Sequence, residues 1–354
     1  MERPTSGRAA TRVWKAHLGI IMPAQFSIKM AFNPLDPDEQ PNSVPHDVKV
    51  SVRMSTYNHA PYIRQAIEGV LMQRTNFNFE LCIGEDDSTD GTREICKEYA
   101  AQYPGKIRLF LRQAKDKIYV DGRMTGKYNG RKTNEACRGE YQALCEGDDF
   151  WIDPLKLQKQ VDFLEANKDC NVCATRALVM REVGSSINPP ASLTRIDTGF
   201  LLHGWVAVNT VTLMYRRSVV ANPPDWINNV LSGDWTLLIR LLSDGSHCRI
   251  LPDVTAVYRV HANGLWNAIK RSNYNPSLHV ISKLKAYRPA ASPAVQAIID
   301  REIRLHTAFA TLSRARGLAK VLVAVKQSLC CPGFASWLIQ TVRKRVQDRI
   351  CPEC

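Results

Sequence analysis

The sequence predicts an α/β fold in which a mostly parallel sheet is covered by helices. Two observations predict it. Between Val48 and Leu111, segments with a period of two alternate with segments of helical spacing, in the order strand, helix, strand, helix, strand. In addition, two acidic clusters, Glu85-Asp86-Asp87 and Glu146-Gly147-Asp148-Asp149, each follow a predicted strand directly. Crossovers of this kind are right-handed and leave their strands parallel, so both clusters fall on one edge of the sheet. That carboxyl edge is where open α/β sheets bind ligands.

Each element has its own local signal. Val48, Val50, Val52 and Met54 alternate with Lys49, Ser51 and Arg53, which predicts the first strand, and the polar turn Ser55-Thr56-Tyr57-Asn58-His59 ends it. Ile63, Ile67, Val70 and Leu71 recur at helical spacing within 60–73. A strand over 79–84 runs into the first acidic cluster, Ser88–Thr92 turns into a helix over 93–103, and 107–111 is the third strand. The stretch 115–134 is basic and Gly-rich. Its glycines lack phosphate-loop spacing and Tyr128 follows Lys127 where Ser or Thr is needed, so it is not a P-loop; Arg131, Lys132 and Asn134 open a short helix instead. Residues 140–145 form the central strand leading to the second acidic cluster. Asp153-Pro154 supplies an N-cap and a first-turn proline for a helix over 155–167. Further strands are predicted over 172–180, 206–216 and 249–260, with a loop over 184–190. Ser232-Gly233-Asp234-Trp235 starts the helix that continues to Leu242. From about 270 the pattern becomes helical, and 294–312 is one long amphipathic run.

The acidic turn Glu146–Asp149 carries the chemistry. Three carboxylates within four residues repel one another unless a cation or a proton compensates them, and hard oxygen ligands suit Mg²⁺ or Mn²⁺ carrying a phosphate-bearing substrate. A lone acidic turn can also do no more than favour the helix dipole behind it. Asp234, in the first turn of its helix, has the same bland alternative.

Five pieces, in order, resemble the family 2 glycosyltransferases, the inverting nucleotide-sugar enzymes of the GT-A fold. They are Ser55-Thr56-Tyr57-Asn58; Glu85 through Thr92; Gly139-Glu140-Tyr141 leading into Glu146-Gly147-Asp148-Asp149-Phe150-Trp151; Gly233-Asp234-Trp235; and Tyr258-Arg259-Val260-His261. The resemblance covers roughly 48–266, and the run from Leu144 to Glu165 looks like the bacterial subgroup with an EGDD(Y/F)W motif, typical of surface-polysaccharide synthesis. It implies a GT-A fold with a helical C-terminal extension. It implies that Ser55 and Tyr57 lie along the nucleoside and that Asp86 bonds the base, usually uracil, with Asp87 beside it. Glu146, Asp148 and Asp149 match the metal and diphosphate motif, Asp234 the catalytic base, and His261 the late histidine near the metal. The family often has Asp at the position of Glu146, Asp-Asp-Gly-Ser where this chain has Glu85-Asp86-Asp87-Ser88, and Glu-Asp where it has Gly233-Asp234. Arg131, Lys132 and Arg259 are further candidates for the diphosphate. The implied activity is metal-dependent, inverting transfer of a sugar from a nucleotide-sugar donor, a UDP-sugar by expectation, to a glycan or lipid-linked acceptor, with Mn²⁺ or Mg²⁺ as cofactor. A sugar nucleotidyltransferase-like enzyme is the competing class, but its Gly-rich basic signature after the first strand is replaced here by Ser-Thr-Tyr-Asn. A non-catalytic basic module is the other alternative.

Length, 354 residues, allows one large domain with appendages. The expected organisation is an N-terminal extension over 1–46, loosely ordered in much of its length, a GT-A domain over 47–268, and a basic helical region over 269–354. The net charge is +13, and 301–354 hold 10 Lys and Arg against 3 Asp and Glu, so +7 of it lies there. With Trp337, Leu338, Ile339, Val342 and Val346 beside Arg343, Lys344, Arg345 and Arg349, this tail has two readings: a helix with a solvated basic face packed on the catalytic domain or a partner chain, which is the commoner outcome, or an interfacial helix in peripheral contact with an anionic membrane face; nucleic acid is not expected as a partner. Eleven cysteines without regular spacing predict reduced, buried thiols in a cytoplasmic protein, and the terminal Cys330-Cys331 and Cys351-Pro352-Glu353-Cys354 have spacing too irregular for a zinc site. No signal peptide or membrane span is predicted, since 18–22 is short and followed by Pro23 and 318–340 is interrupted by Lys320, Lys326, Pro332 and Gly333.

Overall fold

The computed structural model describes residues 36–120, 122–203, 207–243, 245–262, 264 and 275–314. Twelve strands and eight helices are assigned there. The first is β1 (Val50–Thr56), followed by α1 (Ile63–Leu71), β2 (Phe79–Glu85), α2 (Thr92–Gln102) and β3 (Ile107–Leu111). A small hairpin, β4 (Ile118–Val120) and β5 (Arg123–Thr125), precedes α3 (Lys127–Ala136). Then come β6 (Tyr141–Leu144), β7 (Phe150–Trp151), α4 (Lys156–Ala166), β8 (Val172–Met180), β9 (Ser185–Asn188), β10 (Arg195–Ile196) and α5 (Thr198–Leu202). The rest comprises β11 (Leu213–Arg216), α6 (Gly233–Leu242), β12 (Cys248–Arg259), α7 (Pro276–Tyr287) and α8 (Pro293–Arg314).

The main sheet runs β10-β12-β8-β11-β6-β1-β2-β3. β3, β2, β1 and β6 are parallel neighbours, as are β8 and β12, while β11 is antiparallel to both β6 and β8. Thr56 lies opposite Glu85 and Arg53 opposite Leu144, so the turns after β1, β2 and β6 leave from the same edge. Neighbouring residues of a strand face opposite ways, and the core divides accordingly. Cys173 and Met214 belong to the cluster with α1, α2 and α4, whereas Ala174 and Leu213 belong to the cluster with α5 and α6. Val280, Leu284 and Tyr287 of α7 and Ile299 of α8 join that second cluster, against Trp235 and Leu238. The helices expected as an appended region therefore share a core with the sheet.

Two expectations are corrected, and the described end of the N-terminal extension is placed. The stretch 184–190 is not a loop throughout: β9 pairs antiparallel with β8 over 185–188. Among the described residues of the expected strand 206–216, only Leu213–Arg216 pair as a strand, and Thr210–Thr212 form a 3₁₀ turn. Residues 36–46 of the expected loose extension run along the edge strand β3, with Gln40 N–H donating to Leu109 and Leu111 N–H donating to Asp38. Glu39 pairs with Arg108 at 2.6 Å, and Asp36 and Asp38 meet Arg112 at 2.8 and 2.9 Å. Two arginines buried in and just after an edge strand thus hold the segment that covers it. The seven described cysteines are free and buried. No helix among the described residues is long and apolar enough to cross a membrane. Residues 1–35, Trp266 and everything expected of the basic tail and its cysteines beyond Arg314 lie outside the described residues.

Candidate active site

The turns after β1 and β2 are stitched together first. Ser88 Oγ accepts from Asn58 N–H at 2.9 Å, Thr92 Oγ1 from His59 N–H at 2.8 Å, Asp90 from Ala60 N–H at 3.0 Å, and Asn58 Oδ1 from Thr89 N–H at 3.0 Å. Asn58 and Asp87 sit at φ 52° and 63°, in the left-handed region that Asn and Asp enter at low cost. Glu85 is fully buried and serves this scaffold: it pairs with Arg93 and accepts from Ser88 N–H at 2.8 Å.

Asp86 differs from its neighbours. It is 4% exposed, and its N–H donates to Thr56 at 3.0 Å, which fixes the backbone. Burial pushes its carboxyl up to about 6, and Lys117 draws it back more than any other charge. The same Lys117 lies 4.0 Å over the ring of Tyr57. Tyr57, Asp86 and Lys117 therefore enclose one corner of the edge, beside Ser55. Asp87, expected to share in donor binding, points to Arg93 at 3.4 Å. Arg131 and Lys132, expected on a diphosphate, lie along α3 at 3.9 and 2.9 Å from Glu135, so their charges are met within their own helix.

The second acidic turn is held close to β1. A Cβ at Gly147 would meet Thr56 Oγ1 at 2.5 Å and His59 Nδ1 at 2.9 Å, so only glycine admits this approach. Glu146, expected among the metal ligands, instead meets Arg53 at 3.0 Å and accepts from Ser55 N–H at 3.1 Å. An arginine on the neighbouring strand and a free backbone donor are already within its reach, and it locks β6 to the end of β1. Asp148 and Asp149 then face different surroundings. Asp148 Oδ2 lies 3.2 Å from His261 Nε2 and 3.7 Å from His59 Nε2. Burial works to raise this carboxyl, but the His261 contact and the His59 charge outweigh it and hold it below its ordinary value. Asp149 is 2% exposed and accepts from Arg259 N–H at 2.9 Å. Burial, and then the charge of Asp148, push it well above the usual carboxylate range. Arg259 fastens the turn: it donates to the Asp148 carbonyl at 2.7 Å, pairs with Gln65 of α1, and lies 4.3 Å over the Phe150 ring.

Asp234 reaches the same region from α6. Its Oδ1 accepts from Trp235 N–H at 2.8 Å. Burial raises its carboxyl, with that N–H and Lys283 pulling the other way. Tyr258 feels the charge of both acidic groups: its hydroxyl is pushed up by burial and then by Asp149, Asp148 and Asp234. The structure thus brings together Asp148, Asp149 and His261, places Asp234 within electrostatic reach of the same Tyr258, and sets Tyr57 and Asp86 along the same edge. Trp151 and Trp235 are packing residues, both buried with indole N–H groups bonded to the carbonyls of Val211 and Leu201 at 2.9 Å.

Sequence reading missed His59, Lys117, Tyr258 and Lys283. His59 had a signal, since it sits in the same polar turn as Tyr57 and Asn58. Tyr258 had one too, as the first residue of Tyr258-Arg259-Val260-His261, whereas Lys117 and Lys283 reach the site from separate elements and had none.

Among the described residues, no three His, Cys, Asp or Glu side chains are arranged to hold a metal ion by themselves. Mg²⁺ and Mn²⁺ seldom need such a cage; one or two protein groups usually share the ion with substrate phosphates and water. A carboxylate held ionised beside an imidazole nitrogen, with a second carboxylate adjacent, fits that kind of site.

Residues 51–221 match the family model for glycosyl transferase family 2. An uncharacterized protein of Mycobacterium tuberculosis is 39% identical over 224 residues, which is 62% of this chain and 61% of that protein. The chain therefore spans less than two thirds of the length of that relative. Among solved structures, S. aureus TarS in complex with UDP-GlcNAc is similar with a TM-score of 0.54 at 15% identity, over 80% of this chain and 82% of that one. The mannosyltransferase PcManGT of Pyrobaculum calidifontis, in complex with GDP-Man and Mn²⁺, has a TM-score of 0.50 at 17% identity, over 84% and 85%. At such identities the likeness shows the fold alone, and that fold is GT-A.

Proposed function

We propose that this chain is a metal-dependent, inverting glycosyltransferase that moves a sugar from a nucleotide-sugar donor, a UDP-sugar by first expectation, to a hydroxyl of a glycan or lipid-linked acceptor. The observation that carries this reading is the cluster of Asp148, Asp149 and His261 at the carboxyl edge of the sheet, with Asp234 acting on the same Tyr258, in a chain whose residues 51–221 match the model for glycosyl transferase family 2. The complexes of TarS with UDP-GlcNAc and of PcManGT with GDP-Man and Mn²⁺ lend it support.

In this reading the nucleoside lies along Ser55 and Tyr57, and the ionised Asp86 accepts a ring N–H of the base. Asp148 and His261 hold Mn²⁺ or Mg²⁺, with Asp149 behind them. When bound, the ion supplies Lewis-acid neutralisation of the charge developing on the leaving diphosphate. Asp234 receives the proton of the acceptor hydroxyl as that oxygen bonds to C1 of the sugar. The C1–O bond to the diphosphate breaks on the opposite face, its electron pair leaves with the nucleoside diphosphate, and the configuration inverts. The fixed carboxylates nearby favour the oxocarbenium-like charge at C1 in the transition state. Asp149 has a supporting role: by accepting from Arg259 N–H it keeps the turn that carries Asp148 against β12.

The test is thermal stabilisation of the full chain by UDP, GDP, ADP and CDP, with and without Mn²⁺, alongside Asp148→Ala. A shift with UDP that needs Mn²⁺ and is lost in the variant is the expected result. A shift confined to another nucleotide keeps the enzyme class and overturns the base assignment. Identical shifts with and without Mn²⁺ overturn the metal role.

A further inference from the structure

The helix α7 follows the region that matches the family model, yet it grips the residues around Asp234. Asn275 caps α7, accepting from Ser277 and Leu278 N–H at 3.0 and 3.2 Å, and Pro276 occupies the first turn. The helix start is thereby fixed, which aims one face at α6. On that face Val280, Leu284 and Tyr287 enter the core, and Tyr287 lies edge-on to Trp235 at 6.2 Å. Two polar side chains one helical turn apart sit on the same face. His279 Nε2 lies 2.7 Å from Ser232 Oγ. Ser232 is the N-cap residue of α6 and a good N-cap type, but its hydroxyl does not cap that helix; it is engaged by α7 instead. Lys283, 4% exposed, places its ammonium 5.2 Å over the Trp235 ring. A buried ammonium is costly, and the charge of Asp234, the residue next to Trp235, favours it.

We propose that α7 completes the catalytic site, with His279 and Lys283 as positioning residues that fix the first turn of α6 and keep the Asp234 carboxylate ionised to receive the acceptor's proton. The proposal rests on the reading of Asp234 as the base. His279 acts on geometry: by holding Ser232 it sets where α6 begins and so where Asp234 points. Lys283 acts on charge, as a counter-ion behind the carboxylate rather than a contact to substrate. Burial brings its ammonium down to about 8, while Asp234 works against that fall, and Lys283 in turn draws the Asp234 carboxyl down against the burial that raises it. The other groups that act on the pair are Tyr258 from β12, which feels Asp234 together with Asp148 and Asp149, and His306 from α8, which feels Lys283 together with Glu302 and His203. His306 is lowered, by burial first.

The test is a double-mutant cycle on the full chain: unmodified protein, Lys283→Met, Asp234→Asn and the double variant, unfolded thermally from pH 5 to pH 9. Lys283→Met should lower Tm by about 2–6 °C more when Asp234 is present than in the Asp234→Asn background; the gap should widen from pH 5 as the carboxylate ionises and close again above about pH 8 as the Lys283 ammonium loses its proton. Lys283→Arg should keep the gap closed. If Lys283→Met does not fold, Lys283→Gln takes its place. Equal shifts in both backgrounds at every pH would overturn the pairing. Release of nucleoside diphosphate from UDP-GlcNAc and GDP-Man then separates the two readings. With Lys283→Met, the acidic limb of the pH profile should move upward by about one pH unit and turnover should fall, while the thermal shift with UDP and Mn²⁺ is retained. If the pairing is present and Asp234→Asn turns over as fast as the unmodified chain, the base reading fails and the tuning role goes with it.

Discussion

At the scale of single residues, the two adjacent carboxylates Asp148 and Asp149 show how function and stability oppose each other. Asp149 is raised well above its ordinary value by burial and by the charge of Asp148. Its folded value therefore lies above the value near 3.9 of the unfolded chain. Stability from this group is complete below the unfolded value and is lost as pH rises through the folded one. At pH 7.5, without metal, Asp149→Asn should then raise Tm by about 2–6 °C, because its side-chain oxygen still accepts from Arg259 N–H and no buried charge remains. Scanning calorimetry in the presence of a chelator measures this, and an unchanged or lower Tm would contradict the assignment. The same variant keeps that hydrogen bond but removes the second carboxylate beside Asp148, so it should weaken, without abolishing, the thermal shift with UDP and Mn²⁺. Asp86 gives a second prediction. Raised to about 6 by burial, it is ionised at pH 7.5 and mostly protonated at pH 5. Affinity for UDP should fall about tenfold per pH unit below 6, and Asp86→Asn should bind weakly with a flatter dependence; calorimetric titration at pH 7.5 and 5.0 decides. The acidic turn was legible in the sequence because its carboxylates are contiguous. The fate of each was not, because it depends on partners far away in the chain: Arg53 claims Glu146, whereas His261 reaches Asp148 from beyond β12.

At the scale of elements, the strands and helices up to β3 were legible because their periodicities are clean, and β12 because its alternating run is long. β9 was not, since Ser185, Ser186 and Ile187 are exposed and carry no alternation that burial would impose. β11 is four residues long, and the 3₁₀ turn before it, Thr210-Val211-Thr212, is made of β-branched residues that favour strands, so pattern alone ran the two together. The approach of the acidic turn to β1 depends on Gly147. A methyl group there meets Thr56 Oγ1 at 2.5 Å and cannot be relieved by rotating a long side chain. Gly147→Ala should cost about 1–3 kcal/mol and abolish the thermal shift with UDP and Mn²⁺ by pushing Asp148 off its position. Gly126 precedes α3 with φ at −78° and has nothing within 4 Å of a built Cβ, so Gly126→Ala should stay within about 0.5 kcal/mol of the unmodified chain. Denaturant unfolding of both variants makes the comparison, and a similar loss in the two would show that general glycine effects, rather than this contact, set the cost.

At the scale of the whole molecule, the sheet separates two cores, and the helices after 268 belong to one of them. Composition and charge set these helices apart from the rest, and for that reason sequence reading drew a division there. Packing follows a different line. Val280, Leu284 and Tyr287 from α7 and Ile299 from α8 are buried against Trp235, Leu238 and their neighbours. At about 1.5–3 kcal/mol for each large side chain removed from water, those four alone contribute roughly 6–12 kcal/mol, which is the size of a typical domain's entire net stability. A chain ending at 268 should therefore show no cooperative thermal transition and no near-ultraviolet circular dichroism from a packed Trp235, although it contains every residue proposed for donor binding, metal binding and catalysis. If that truncated chain instead unfolds cooperatively near the Tm of the full chain and keeps its shift with UDP and Mn²⁺, the second core is self-sufficient without α7 and α8. The grip of α7 on Asp234 would then be dispensable as well, so one measurement bears on both the architecture and the site.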